Sequence, residues 1–459
     1  MNKKIKGSNW PQLPEELSNI SITPTDARFD AVRSNYFRVG NPKLVIMAAT
    51  NLQVSETIKY ITAVRKKTGS KVPFSVRSGG HGMTMSSVND GGIILDISQM
   101  NEVTIVDEKS GLVRIQAGAL WGDVAKSLNP YQLVISSGDF GDTGVGGLAT
   151  SGGIGLLVRN SGLTIDHIIG ASLVTSDGEC HWIDEKHEPD LFWAIRGGSS
   201  QVGIVTEFLF KADRLVTQDK NFVSPVVVQK VKYLSKKLET FILKWQEWAN
   251  SSSRRLSSIL MVTLNENGDY IVEATNIWAG SPNEQSKDIF EKSLNLERTQ
   301  NQEQQTMEYA DLVKAPHEPH RGQQPVYVKN TLVENFNAAV IDQIEAILKN
   351  SFVMGIELRA IGGKLNEIKS EATPWDFREA TGFVAMWADK NYAQQAQKIF
   401  TLADQDGLGV YGAYSSDLSE KENSKVWPRP ETRERLKNIM NASDSEQIFD
   451  QGRNLNVKK

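Results

Sequence analysis

Apolar residues recur at helical spacing over Val54, Ile58, Ile61 and Val64, and Gly69 closes the pattern, so a helix is predicted there. Phe74-Ser75-Val76-Arg77 and Ile93-Ile94-Leu95-Asp96-Ile97 read as short strands. Val113-Arg114-Ile115-Gln116-Ala117 alternates with period two, as a strand with one wet face does. Trp121 to Leu128 and Asp190 to Arg196 read as short helices, and Ile168 to Thr175 and Gly203 to Phe210 as further strands. Beyond about residue 213 glycine thins and longer patterns appear. Leu234 to Trp248 and Phe336 to Leu348 are helical in period, with strands expected at Ser258 to Leu264 and Tyr270 to Ala279. Residues 281–325 are polar and are expected to be helical or loop surface. A short helix is expected around Arg435 to Met440.

This texture divides the chain at 30–212, 213–410 and 411–459. At 459 residues two or three domains are expected. The net charge of -4 gives no general basic surface, so neither nucleic acid nor an anionic membrane is an expected partner. The basic start leads into Ser8-Asn9-Trp10-Pro11 rather than an apolar run, and no stretch approaches a membrane span, so a cytoplasmic protein is expected, as monomer or homodimer. Cys180 is the only cysteine, which excludes an intrachain disulfide and a cysteine-based zinc site.

Glycine carries the chemistry. Of 36 glycines many lie between residues 79 and 203, in three clusters. The first is Arg77-Ser78-Gly79-Gly80-His81-Gly82. Such a loop can turn its backbone N–H groups toward phosphate oxygens, and His81 is a nucleophile placed beside that cradle. The second runs from Gly138 to Gly155 and contains Gly144-Val145-Gly146-Gly147 and Ser151-Gly152-Gly153-Ile154-Gly155. Gly144 to Ala149 spells G-x-G-x-x-A, and Asp166 falls 20 residues after Gly146, so a Rossmann dinucleotide site has to be weighed. Gly152-Gly153 interrupts the helix that motif should open, which favours a ribbon of backbone lying along an extended ligand. The third cluster runs from Asp190 to Phe208 around Gly197-Gly198-Ser199-Ser200-Gln201-Val202-Gly203, a helix C-cap and turn, or a third loop on the same ligand.

Together these clusters resemble the flavin-binding domain of the vanillyl-alcohol oxidase/p-cresol methylhydroxylase superfamily, and within it the berberine-bridge-enzyme-like oxidases. The resemblance implies an α+β fold: a two-subdomain FAD-binding domain followed by a substrate domain with an antiparallel sheet covered by helices. It implies FAD held by Arg77, Ser78, Gly79, Gly80, His81, Gly82, Gly144, Gly146, Gly147, Ser151, Gly152, Gly155, Gly203, Ile204 and Val205. By the family pattern His81 is bonded to the flavin 8α carbon. Relatives with a second bond carry a cysteine where this chain has Phe140, so a single bond and a smaller substrate are implied.

For catalysis, Glu357-Leu358-Arg359 alternates on an apparent strand and places Glu357 and Arg359 on one face. By the resemblance Glu357 falls near the flavin's reactive edge as a base; equally, the two residues read as a solvent-facing salt bridge. Tyr414, in Tyr414-Ser415-Ser416, is a candidate acid/base or hydrogen-bond donor, although the asparagine that relatives carry two residues on is missing. Trp375 and Arg378 either line the pocket or pack. The closing pattern survives as Arg435-Leu436, Asp444-Ser445, Phe449 and Asn454. In His317-Glu318-Pro319-His320, Pro319 spoils a helical metal pair and no third ligand is evident, so a surface loop and no metal are expected. The implied activity is hydride transfer from a C–OH or C–N bond of a small or medium organic molecule to FAD, with O2 as acceptor. A non-catalytic binding protein on the same fold and an NAD(P) dehydrogenase are the alternatives.

Overall fold

A computed structural model describes residues 5, 8–199, 201–215, 217, 220–453 and 455. Asn454 lies outside the described residues. Three parallel strands, Leu44–Met47, Ile93–Asp96 and Phe74–Arg77, form a small sheet, with Ser21–Ile22 antiparallel on its edge. The strands Leu44–Met47 and Phe74–Arg77 are joined by the helix Asn51–Thr68. That helix starts where Thr50 accepts from Gln53 N and stops where Gly69 turns left-handed at φ 62°. Leu44–Met47 and Ile93–Asp96 are almost wholly apolar because both faces of a parallel sheet are covered.

A second sheet is antiparallel, in the order Val103–Asp107, Leu112–Gln116, Ile204–Lys211, Ile168–Val174, Cys180–Ile183. The period-two reading of 113–117 is realised there: Val113 and Ile115 are buried and Arg114 is exposed. The helices Trp121–Leu128 and Val145–Ser151 pack against the second sheet, at Val103–Asp107 and Leu112–Gln116 respectively.

Residues 225–389 form a seven-stranded antiparallel sheet. Its order is Thr299–Glu308, Pro225–Ser235, Tyr270–Ala279, Leu256–Leu264, Val353–Ala360, Gly382–Asp389, Val326–Val333. The helices Leu238–Ser251 and Ala338–Leu348 pack beside it; the first buries Phe241, Ile242, Trp245 and Trp248. Burying each such side chain contributes roughly 2–3 kcal/mol. Two expectations are corrected here. The helical pattern assigned to Leu234 onward begins only at Leu238, because Leu234 and Ser235 finish a strand. Part of the polar stretch 281–325 is a ten-residue strand, Thr299–Glu308. It is an edge strand whose side chains are mostly exposed, so it needed no apolar alternation to fold.

The C-terminal segment returns to the first half of the molecule. Its helix Pro430–Ser443 is fixed by Arg435 to Asp190 at 2.7 Å, and Asp376 accepts from both Arg429 Nε at 2.7 Å and Thr432 Oγ1 at 2.6 Å. Among the described residues no helix is long and apolar enough to cross a membrane, and no cluster of His, Cys, Asp or Glu has the makings of a metal site.

Candidate functional site

A cavity of about 330 Å³ opens where the two halves meet. The small parallel sheet contributes Phe74 and Val76 to its wall, the glycine loops contribute backbone, and the seven-stranded sheet contributes Arg359, Phe383 and Trp387. Of the residues assigned to FAD, Ser78, Gly79, Gly80, His81, Gly82, Gly144, Gly146, Gly147, Ser151, Gly203, Ile204 and Val205 line it.

The first two glycine clusters touch backbone to backbone. A Cβ on Gly79 would lie 2.3 Å from Gly144 N, and one on Gly144 would lie 2.1 Å from Gly79 N. Ser78 Oγ donates to Ala117 O at 2.6 Å, and Gly146 N donates to the same carbonyl at 2.8 Å, which ties the loop to the second sheet. Gly147 differs: nothing lies within 4 Å of its would-be Cβ, which points into open space. Gln201 lines the cavity too, and both its buried amide atoms lack a protein partner. An open, glycine-walled cavity with an orphaned buried amide fits a large polar cofactor.

Three assigned residues sit elsewhere. Arg77 forms a buried ion pair with Asp96 at 2.5 Å, its register partner on the adjacent strand. Gly152, at φ 137°, is overlain by Trp375 and Tyr411, and Tyr411 Oη accepts from Gly153 N at 2.9 Å. Gly155 abuts the Ser137 carbonyl, leaving no room for any side chain. These residues shape the loops without lining the cavity.

His81 is clamped. Tyr36 stacks on it at 4.4 Å between ring centroids and 16° between planes, and Phe140 stacks at 5.4 Å and 30°. His320 meets it edge-on at 5.6 Å. His81 Nε2 is buried 3.2 Å from Asp142 Oδ1, off the line of a full hydrogen bond. Burial opposes ionisation of Asp142, but His81 and His320 together hold its carboxyl below the usual carboxylate range. His320 is a correction: the His317–His320 segment was expected at the surface. His317 is exposed, beside Asp123 at 3.0 Å, but His320 is buried against Gly80. The backbone carries it there, with Gly322 N donating to Asn35 O at 2.9 Å and Gln324 N to Tyr36 O at 3.1 Å. Burial, aided by the neighbouring His81, pushes His320 down to about 4 and keeps it neutral near pH 7.

On the opposite wall Arg359 uses its whole guanidinium. Nε donates to Glu357 Oε1, Nη1 donates to Asp139 Oδ1 at 3.0 Å, and Nη2 pairs with Asp139 Oδ2. Glu357 is buried and does not line the cavity; its Oε2 accepts from Tyr414 Oη at 2.9 Å and from Trp387 Nε1 at 3.1 Å. Neither reading of the sequence fits in full: Glu357 and Arg359 do share a face and do pair, but away from solvent. Burial pushes the Asp139 carboxyl up against the pull of Arg359. Burial and the Glu357 charge hold the Tyr414 phenol well above its ordinary value, so Tyr414 carries its proton at physiological pH. Trp375 and Arg378 pack rather than line: Arg378 pairs with buried Asp166 at 2.7 Å. That removes Asp166 as a ribose-binding acid, and with it the Rossmann alternative.

Residues 42–184 match the model of an FAD binding domain. The chain is similar to FAD-linked oxidoreductases and oxidases. It is 32% identical over 262 residues to (R)-6-hydroxynicotine oxidase of Paenarthrobacter nicotinovorans, covering 56% of this chain and 51% of that one. The chain thus spans about half the length of that curated relative. An uncharacterized FAD-linked oxidoreductase of Bacillus subtilis is 25% identical over 95% of this chain and 96% of its own length. Among solved structures, 6-hydroxy-D-nicotine oxidase from Arthrobacter nicotinovorans superposes with a TM-score of 0.79 at 22% identity, over 95% of this chain and 98% of that one. Xylooligosaccharide oxidase from Myceliophthora thermophila gives 0.80 at 19%, over 97% and 99%. These two solved structures share the fold over nearly the whole chain.

Sequence reasoning missed Tyr36, Asp139, Asp142, Gln201, His320 and Trp387. Asp139 and Asp142 flank Phe140 inside the second glycine cluster, and Gln201 lies inside the third, so their loops were flagged without them. Tyr36, His320 and Trp387 arrive from distant elements and leave no local signal.

Proposed function

We propose that the protein is an FAD-dependent oxidase that removes a hydride and a proton from a C–OH or C–N group of a small or medium organic molecule. The observation that carries this reading is Tyr414: it lines the cavity and its hydroxyl is bonded to buried Glu357 at 2.9 Å. FAD, once bound, would supply the hydride acceptor, with O2 as the final acceptor giving H2O2. The chain manages the proton. The substrate O–H or N–H gives its proton to the Tyr414 oxygen while the Tyr414 proton moves to Glu357 Oε2. Glu357 is a positioning residue and proton store, held by Arg359 and Trp387. Phe383, Trp387 and half-exposed Phe140 give the substrate side apolar faces, and Phe140 is 49% exposed, as befits a residue at the mouth.

Gln201, Ser78 and the open backbone at Gly147 would hold FAD, and His81 would bond covalently to its 8α carbon. Forming that bond takes one hydrogen from the imidazole and one from the methyl carbon, and O2 accepts the pair as H2O2. Support comes from the position of His81 on the cavity wall and from a fold neighbour, a glucooligosaccharide oxidase whose FAD is 6-S-cysteinyl and 8α-N1-histidyl.

The test is anaerobic mixing of the holoprotein with a panel of alcohols, sugars and amines. A substrate bleaches the flavin, and readmitted air yields H2O2. Tyr414→Phe should slow that bleaching by about 10²–10⁴-fold with FAD content unchanged. Reduction by dithionite but by no member of the panel would favour a non-catalytic binding protein. For the covalent bond, acid precipitation should leave yellow flavin in the pellet, and His81→Ala should release all of it.

A further inference from the structure

The clamp around His81 is asymmetric. One ring nitrogen, Nε2, is buried 3.2 Å from Asp142 Oδ1, while Nδ1 has no bonding partner among the described residues and remains open on the cavity side. Tyr36 stacks on the ring, Phe140 packs beside it 6.4 Å from Tyr36, and Phe37 meets its edge, so the ring is packed on several sides. His320 closes the edge from the 315–324 loop, and the nearby Arg77 is engaged by Asp96. Tyr36, Asp142 and His320 are the titratable groups facing the ring, and Asp142 is the only one of them that carries charge near pH 7.

We propose that Asp142 is the positioning residue for flavin attachment: it holds the His81 proton on Nε2 and so presents the Nδ1 lone pair to the flavin. This rests on the covalent reading above. A carboxylate that fixes an imidazole tautomer from behind is a familiar way to activate the far nitrogen. As the bond forms between Nδ1 and the methyl carbon, the ring gains positive charge, and Asp142 offsets it until the Nε2 proton departs. The second hydrogen leaves the carbon, and O2 takes both with the electron pair as H2O2. Nothing in this role requires Asp142 to touch the substrate.

The experiment follows flavin attachment, not turnover. Protein made flavin-free is incubated with FAD in air, quenched in acid over a time course, and scored for flavin in the pellet; thermal shift by FAD reports non-covalent binding. Wild type should attach flavin at one nitrogen, Nδ1, as read by NMR of the proteolytic flavin peptide. Asp142→Ala should slow attachment at least tenfold while keeping the FAD-induced thermal shift, and its product should contain both isomers. Asp142→Asn keeps the size of the side chain without its charge, so it covers the case in which alanine unfolds the loop; it should slow attachment severalfold. Attachment of either folded variant at the wild-type rate with the wild-type isomer would overturn the proposal. Wild-type protein whose flavin is wholly acid-released would instead remove the covalent reading itself, and the proposal with it.

Discussion

The flavin-domain wall of the cavity is backbone, and the wall across from it is buried charge. Gly79 and Gly144 meet with no side chain between them, whereas Arg359 carries Glu357 and Asp139 on one guanidinium, joining the seven-stranded sheet to the loop that holds Phe140. The first wall depends on what is missing and the second on what is paired. Close approach forbids almost any substitution at the glycines, whatever its polarity. Pairing tolerates no substitution that leaves a partner alone, because an unpaired buried charge costs more than the pair contributes.

Arg359→Leu tests the charged wall most severely. It leaves buried Glu357 and partly buried Asp139 without their cation, and the expected loss is about 3 kcal/mol. The sign with pH follows. Burial already raises the Asp139 carboxyl against the pull of Arg359, and without Arg359 that rise is unopposed, so the folded variant binds more protons than the unfolded chain and its stability falls as pH rises through the folded value. Chemical denaturation at pH 5.5 and pH 8 should show the variant closer to wild type at the lower pH. A pH-independent deficit would mean that Arg359 contributes packing alone. The glycine wall should fail differently. Gly144→Ala drives a methyl into Gly79 N, and a loss of about 3 kcal/mol with little pH dependence is expected, together with lost FAD. Equal pH profiles for the two variants would erase the distinction between the walls.

His320 stands between the two walls and gives a smaller, sharply placed effect. Its folded-state value near 4 against about 6.5 unfolded means that the unfolded chain takes up the proton first as pH falls. The associated stability is fully present above pH 6.5 and is lost progressively toward pH 4. His320→Gln should flatten that limb of the stability curve. A limb that survives the substitution would assign it to another group.

The two walls also explain what the sequence made legible. Glycine clusters are local: a loop that must approach another backbone writes the requirement into consecutive residues, which is why 77–82 and 144–147 could be read together. Five of the nine strands of the first two sheets were equally readable from apolar runs and alternation, whereas Ser21–Ile22, Leu44–Met47, Val103–Asp107 and Cys180–Ile183 were not. The charged wall is written in single residues far apart. Asp139 and Arg359 are 220 positions apart, and Tyr414 reaches Glu357 across 57. No periodicity records such pairs. The edge strand Thr299–Glu308 was hidden for the opposite reason: its exposed polar side chains carry no burial pattern, and its register comes from the neighbour Pro225–Ser235.

Gly147 is the finest probe of the backbone wall, because it separates close packing from ligand access. A methyl there meets nothing within 4 Å of the protein and sits on the helix Val145–Ser151, where alanine is favoured over glycine by up to about 1 kcal/mol. Gly147→Ala should therefore leave the flavin-free protein as stable as wild type or slightly more so by denaturant titration. Its methyl does enter the space where FAD is proposed to lie. Weaker FAD binding by fluorescence titration, with unchanged or raised stability, would show that this glycine is kept open for the cofactor. Unchanged FAD affinity would place the cofactor's path elsewhere along the wall, and Gly147 would then be only a helix residue that happens to face the cavity.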